Sequence, residues 1–216
     1  MTEHNAMVAE QFDDAVQQRE ASTLGMWIFL STEVMLFGAL FTSFTVYRSA
    51  YPQAFAAAAE RLYQWIGGIN TGVLLTSSLM MALAVHAAQT GKRKQLIGFL
   101  LATMGLGVIF LGTKFTEYYL EYSEGLVPLA GFTFTYDGPQ PERARLFYNF
   151  YFAMTGLHAI HMTIGISMLG VLTVLAWRGR FSAEYHTPVE VIGLYWHFVD
   201  IVWVFLYPLL YLLHNV

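Results

Sequence analysis

Five stretches of the chain, near 24–47, 65–88, 96–118, 147–176 and 189–213, are apolar over roughly 20 residues or more, enough to cross a hydrocarbon core of ~30 Å. A spanning segment with no strand partner must satisfy its own backbone hydrogen bonds in lipid, so these runs are expected to be helices. The fold class that follows is all-α, a polytopic transmembrane bundle of five helices. Composition agrees: 12% of residues are charged, about half the share usual in soluble domains.

Around the spans, residues 1–22 read as a polar cytoplasmic N-terminal arm and residues 23–216 as the five-helix domain. The arm lacks the apolar core and cleavage site of a secretory signal. Basic residues in the connections set orientation. The side of the N-terminus carries six (Arg19, Lys92, Arg93, Lys94, Arg178, Arg180) against four opposite (Arg48, Arg61, Arg143, Arg145). The N-terminus is therefore expected inside and the C-terminus outside. The longest connection, 119–146, holds Gly, Pro and Asp turn signals, and its "LAGFTFTY" could form a small strand or lie along the interface. The sequence has no cysteine, which excludes disulfides, thiolate metal sites and Cys-attached haem. No basic stripe suggests nucleic acid, and no internal repeat of a transporter kind is visible.

Ionisable residues at membrane depth are costly unless they face protein, water or a partner, and four places hold them. Glu33, in "WIFLSTEVMLFGALF" (27–41), lies about 14 Å along its helix, near the midplane. It reads either as a proton-handling acid or as a hydrogen-bonded strut of the bundle. Lys114 and Glu117 are i,i+3 near the outer end of the third span, the spacing of an intrahelical ion pair with a snorkelling lysine. His158 with His161, and His197 with Asp200, repeat that spacing in the fourth and fifth spans. Antiparallel packing of those spans puts His158 level with Asp200 and His161 level with His197, so the four are expected to form one polar seam, an Asp orienting a His. Metal or haem ligation is the weaker reading, because of the seven histidines His4, His186 and His214 lie outside or at the ends of spans and His86 ends the second. Gly, Ser, Thr and Ala in "GGINTGVLLTSSLMMALAVHAA" (67–88), and Gly105, Gly107 and Gly112, favour close helix packing in this chain or against a partner.

Taken in order, "FLSTEVMLFGALF", "INTGVLLTSS", "TEYY", "TGLHAIHMTIG" and "YWHFVDIVWVFLYPLLYL" resemble subunit III of the haem–copper oxidases, in its short five-helix bacterial form, over nearly all of residues 24–213. The resemblance implies a subunit with no redox cofactor or catalytic residue of its own, the haem and copper residing in a partner. It implies subunit I and, in the same complex, subunit II as partners, bound phospholipid, and a place in the bacterial plasma membrane. It makes Glu33 the match of the family's buried carbodiimide-reactive glutamate, and puts Glu117, His158, His161, His197 and Asp200 on the family's polar positions. The expected function is stabilisation of the catalytic subunit and support of proton uptake while O2 is reduced to water. Lys114 departs from the Gln that many cytochrome c oxidase members carry, and is similar to the branch that accompanies nitric oxide reductases. An accessory subunit of a nitric oxide reductase is thus one alternative, and an independent proton-coupled transporter another.

Overall fold

The computed structural model describes residues 11–128 and 134–212. Its helices are α1 (Ala15–Ala50), α2 (Pro52–Ala59), α3 (Gln64–Gln89), α4 (Arg93–Ser123), α5 (Pro141–Trp177) and α6 (Thr187–Tyr207), the last continuing into a π-helical turn, Pro208–Leu212. Five of these are long and apolar enough to cross a membrane, at the five places expected. The helices overrun the apolar runs: α1 starts at Ala15, inside the segment read as a polar arm, and α4 ends at Ser123. The short α2 was not foreseen. Part of "LAGFTFTY" lies outside the described residues, and Phe134–Tyr136 are not in a strand.

Local signals explain where the helices begin and end. The Asp14 carboxylate accepts from the Gln17 amide at 2.7 Å and caps α1, while Pro52 and Pro141 occupy first-turn positions of α2 and α5. Gly91 and Gly125 take the left-handed conformation after α3 and α4, which lets the next amide reach back to the Ala87 and Glu121 carbonyls. Arg93 completes the end of α5 from another helix, its guanidinium donating to the carbonyls of Ala176 and Trp177.

Helices α5 and α6 form the centre, packing on each other and, between them, on the other three spans. α1 is peripheral and buries only Leu30, Phe37 and Phe44, one residue every seventh position, so a single seam touches the bundle. Phe44 meets Phe55 of α2 and Phe147 and Phe150 of α5 with ring centroids 5.4–6.0 Å apart. Trp196 of α6 occupies the space left by Gly107 and Gly165, where a Cβ would stand 2.8 Å and 3.0 Å from its ring. Gly105 and Gly112 face open space instead. One end of the bundle carries Arg19, Gln89 and His186 around Glu190; the other carries α2 and residues 124–128 and 134–140.

Candidate functional site

The polar residues expected in one seam lie in separate places. Helical geometry explains the separation: residues i and i+3 share a face but differ by about 60° around the axis. On a central helix surrounded by neighbours, 60° is enough to reach a different groove.

His161 turns toward α1 and meets Glu33, Nε2 to Oε2 at 3.0 Å. Its Nδ1 lies 2.9 Å from the Leu157 carbonyl. A carbonyl only accepts, so Nδ1 carries a hydrogen and fixes the ring. The Glu33–His161 contact must then hold one proton, either on the carboxyl or on Nε2. Neutral pair or ion pair, its net charge is zero. The two side chains are 15% and 10% exposed, at the surface of the bundle and near mid-span. Phe37 packs edge-on against the imidazole at 5.4 Å.

His158 turns the other way. It is 1% exposed, between Phe110 at 5.4 Å and Trp203 at 5.2 Å, and neither ring nitrogen has a hydrogen-bond partner. His197 reaches α3, where its Nδ1 lies 2.7 Å from Ser78 Oγ. Asp200 is buried beside the same serine, and its carboxylate makes no hydrogen bond. The single Asp–His seam is therefore corrected to distinct contacts on α1, α3 and α4, in which Asp200 and His197 share Ser78 and no Asp meets a His directly among the described residues.

The outer-end pair is also corrected in part. Lys114 does form the ion pair with Glu117, at 2.8 Å, but it does not snorkel: Lys114 is 1% and Glu117 0% exposed. Lys114 Nζ also donates to Tyr151 at 2.9 Å and Tyr211 at 2.6 Å, and Tyr211 donates to the second Glu117 oxygen at 2.7 Å. The rings of Tyr118, Tyr151, Trp203 and Tyr211 surround the ammonium, with centroids 4.7–5.4 Å away. Glu121 joins this cluster, 2% exposed. It was missed in the sequence although it stands i+4 from Glu117 and i+7 from Lys114, on one helical face. Nothing local marked Tyr151, Tyr211 or Ser78 as partners.

Among the described residues no three His, Cys, Asp or Glu side chains converge as a metal site. What these sites can do is hold and exchange protons and fix helix positions.

Comparisons with known proteins agree on one family. A family model for cytochrome c oxidase subunit III matches residues 4–215. The cytochrome c oxidase subunit 3 of Thermostichus vulcanus is 30% identical over 202 residues, covering 93% of this chain and 92% of its own. The protein of the same name from Synechocystis sp. is 32% identical over 193 residues, 88% of this chain and 74% of its own. A probable quinol oxidase subunit 3 of Staphylococcus aureus is 27% identical over 202 residues, 93% of each chain. With its five apolar spans and this match over nearly its whole length, the chain belongs to the cytochrome c oxidase subunit III family, as a multi-pass membrane subunit of an oxidase complex.

Proposed function

We propose that this chain is a non-redox core subunit of a respiratory terminal oxidase, that it flanks subunit I in a complex also containing subunit II, and that it supports proton uptake there. The observation that carries this reading is the Glu33–His161 pair, an acid and a base near mid-span with one proton between them. Moving that proton within the pair leaves the net charge at zero, the condition under which a titratable group is tolerated at such depth. Its partial exposure lets it meet a neighbouring subunit, lipid or water. The outer face of α1 exposes Val34, Met35 and Val46 among Ser31, Thr32, Thr42 and Thr45, whose hydroxyls bond back to their own helix, and it suits a partner helix or phospholipid.

In this reading the haems and copper stay in the partner, the N-terminus lies in the cytoplasm of a bacterium and the C-terminus outside. The partner takes electrons from cytochrome c, reduces O2 to water and pumps protons. The chain shields one flank of that partner and slows its inactivation during turnover. Lys114 favours a second reading, in which the partner is a nitric oxide reductase.

The test is purification in mild detergent through a tag on this chain, followed by an optical spectrum, metal analysis and turnover assay. Copper with a-type haem supports the oxidase, whereas b- and c-type haem with non-haem iron shifts the reading to nitric oxide reduction. Depleting the chain should leave initial activity and shorten the working life of the complex. Loss of the haem spectrum on depletion would make it an assembly subunit. Glu33→Gln should abolish carbodiimide labelling while assembly persists, and a failure to assemble would make Glu33 a strut.

A further inference from the structure

The Lys114–Glu117 ion pair is complete without Glu121. Lys114 Nζ has three hydrogens and spends them on Glu117, Tyr151 and Tyr211. Both Glu117 oxygens are taken, by Lys114 and Tyr211. One ammonium balances one carboxylate, and the one hydroxyl hydrogen left over, on Tyr151 between Tyr211 at 3.4 Å and Glu121, is a neutral donor that brings no balancing charge. Glu121 lies one turn further along the same face of α4, 2% exposed, and neither of its oxygens has a hydrogen-bond partner. A buried carboxylate without donors is among the most costly states of a side chain.

The charged and titratable groups around Glu121 do not relieve this. Glu117 and Glu124 on its own helix repel a second negative charge, and Lys114 attracts it only as an ion already paired. Tyr151 from α5 approaches with a neutral hydroxyl and Tyr211 from the π-helical turn stands near, both accepting from Lys114. Tyr148 from α5 and Tyr63 before α3 also face it. Arg61, the next cation at this corner, sits over the Tyr136 ring, 5.4 Å from its centroid. Toward water the path is short: Glu124, three residues on and exposed, accepts a hydrogen bond from Tyr63 at 3.0 Å.

We propose that Glu121 is a proton-binding site, carrying a proton as a neutral carboxylic acid and exchanging it with water at the α2 end of the bundle through Glu124. In the exchange the O–H bond of Glu121 breaks and its proton passes to the Glu124 carboxylate, then to water. Glu121 is left briefly ionised, and the reverse transfer restores it. The site is separate from Glu33–His161, on another helix pair, and does not depend on which enzyme is the partner.

Infrared spectroscopy tests this on the complex purified through this chain, with isotope-labelled glutamate. At neutral pH the wild type should show a protonated-carboxyl band that shifts with the label and in deuterated water. It should survive Glu33→Gln and vanish in Glu121→Gln, with assembly unchanged. A band untouched by Glu121→Gln would overturn the proposal. If Glu121→Gln does not accumulate, Glu121→Asp decides: a loss of labelled-band intensity against wild type upholds the site, and an unchanged band refutes it. A complex without the band whose thermal stability rises with added sodium holds a metal cation at Glu121 instead, which also refutes it.

Discussion

Removing one member of the Lys114–Glu117 pair should destabilise the bundle far more than removing both. Lys114 and Glu117 are 2.8 Å apart with side chains 2% and 0% exposed, so neither is screened by water. Glu117→Gln leaves a buried ammonium with neutral partners only, Tyr151, Tyr211, the new amide oxygen and the surrounding ring faces. Breaking a buried pair in this way costs about 3–5 kcal/mol. Lys114→Met leaves the buried Glu117 without a charge partner and with a single donor, Tyr211, and also forfeits cation–π attraction that reaches ~2 kcal/mol for a desolvated cation. Lys114→Met should therefore be the worse of the two.

The double variant removes both charges and keeps most of the volume. Replacing a buried pair by uncharged groups is often neutral or even stabilising, so the double variant should recover most of the loss, with a coupling energy of up to about 3 kcal/mol. The assay is reversible denaturation of the purified chain by SDS in mixed micelles, followed by circular dichroism. Single variants within ~1 kcal/mol of wild type, or a double variant as poor as the sum of the singles, would refute the reasoning, since both require the pair to be solvated.

Gly107→Ala should cost about 1–3 kcal/mol, because the added methyl would stand 2.8 Å from the Trp196 ring. Gly105→Ala, with nothing within 4 Å, should be neutral or gain up to ~1 kcal/mol; equal effects in the same SDS assay would contradict the close approach of α4 to α6. Arg93→Met removes the donors to Ala176 and Trp177 and should cost ~1 kcal/mol, with faster amide hydrogen exchange confined to the last turn of α5. Ser78→Ala leaves His197 Nδ1 without its hydroxyl partner, a loss of about 1–3 kcal/mol that His197→Phe should partly offset.

The spans were legible because bilayer thickness acts on single segments: a run of apolar residues answers to length and backbone hydrogen bonding alone. Glu33, Lys114, His158, His161, His197 and Asp200 were legible as interior residues for the same reason, their cost in lipid being local. Their partners were not. Whether His161 meets His197 or Glu33 depends on the rotation of α5, which Gly107, Gly165 and the Trp196 ring between them help to set, and such packing has no signature within one segment. Glu121 illustrates the opposite failure. Its spacing from Glu117 placed it on the buried face, but the polar text around it, "LEYSEG", resembles the end of a span, while α4 runs on to Ser123 with Tyr148 and Tyr151 of α5 beside Glu121.

In lipid, apolar side chains do not distinguish the inside of a bundle from the outside, so polar contacts and close packing must set which helices touch. Asn70–Thr113 links α3 to α4 at 2.6 Å, Ser78–His197 links α3 to α6, and Lys114 links α4 to α5 and the turn after α6. Glu33–His161 differs, for it joins the peripheral α1, which buries only the three residues of one seam. It could serve as a clasp, as a proton site, or as both, and two substitutions separate the roles. Glu33→Gln retains a hydrogen-bonding group toward His161 Nε2 and removes the exchangeable carboxyl proton. Glu33→Ala removes both. If holding α1 is the main role, the alanine variant should lose assembly while the glutamine variant works for as long as wild type. If proton exchange is the main role, both should assemble and both should shorten the working life of the complex. A glutamine variant that assembles but fails early, beside an alanine variant that does not assemble, would assign both roles to one pair.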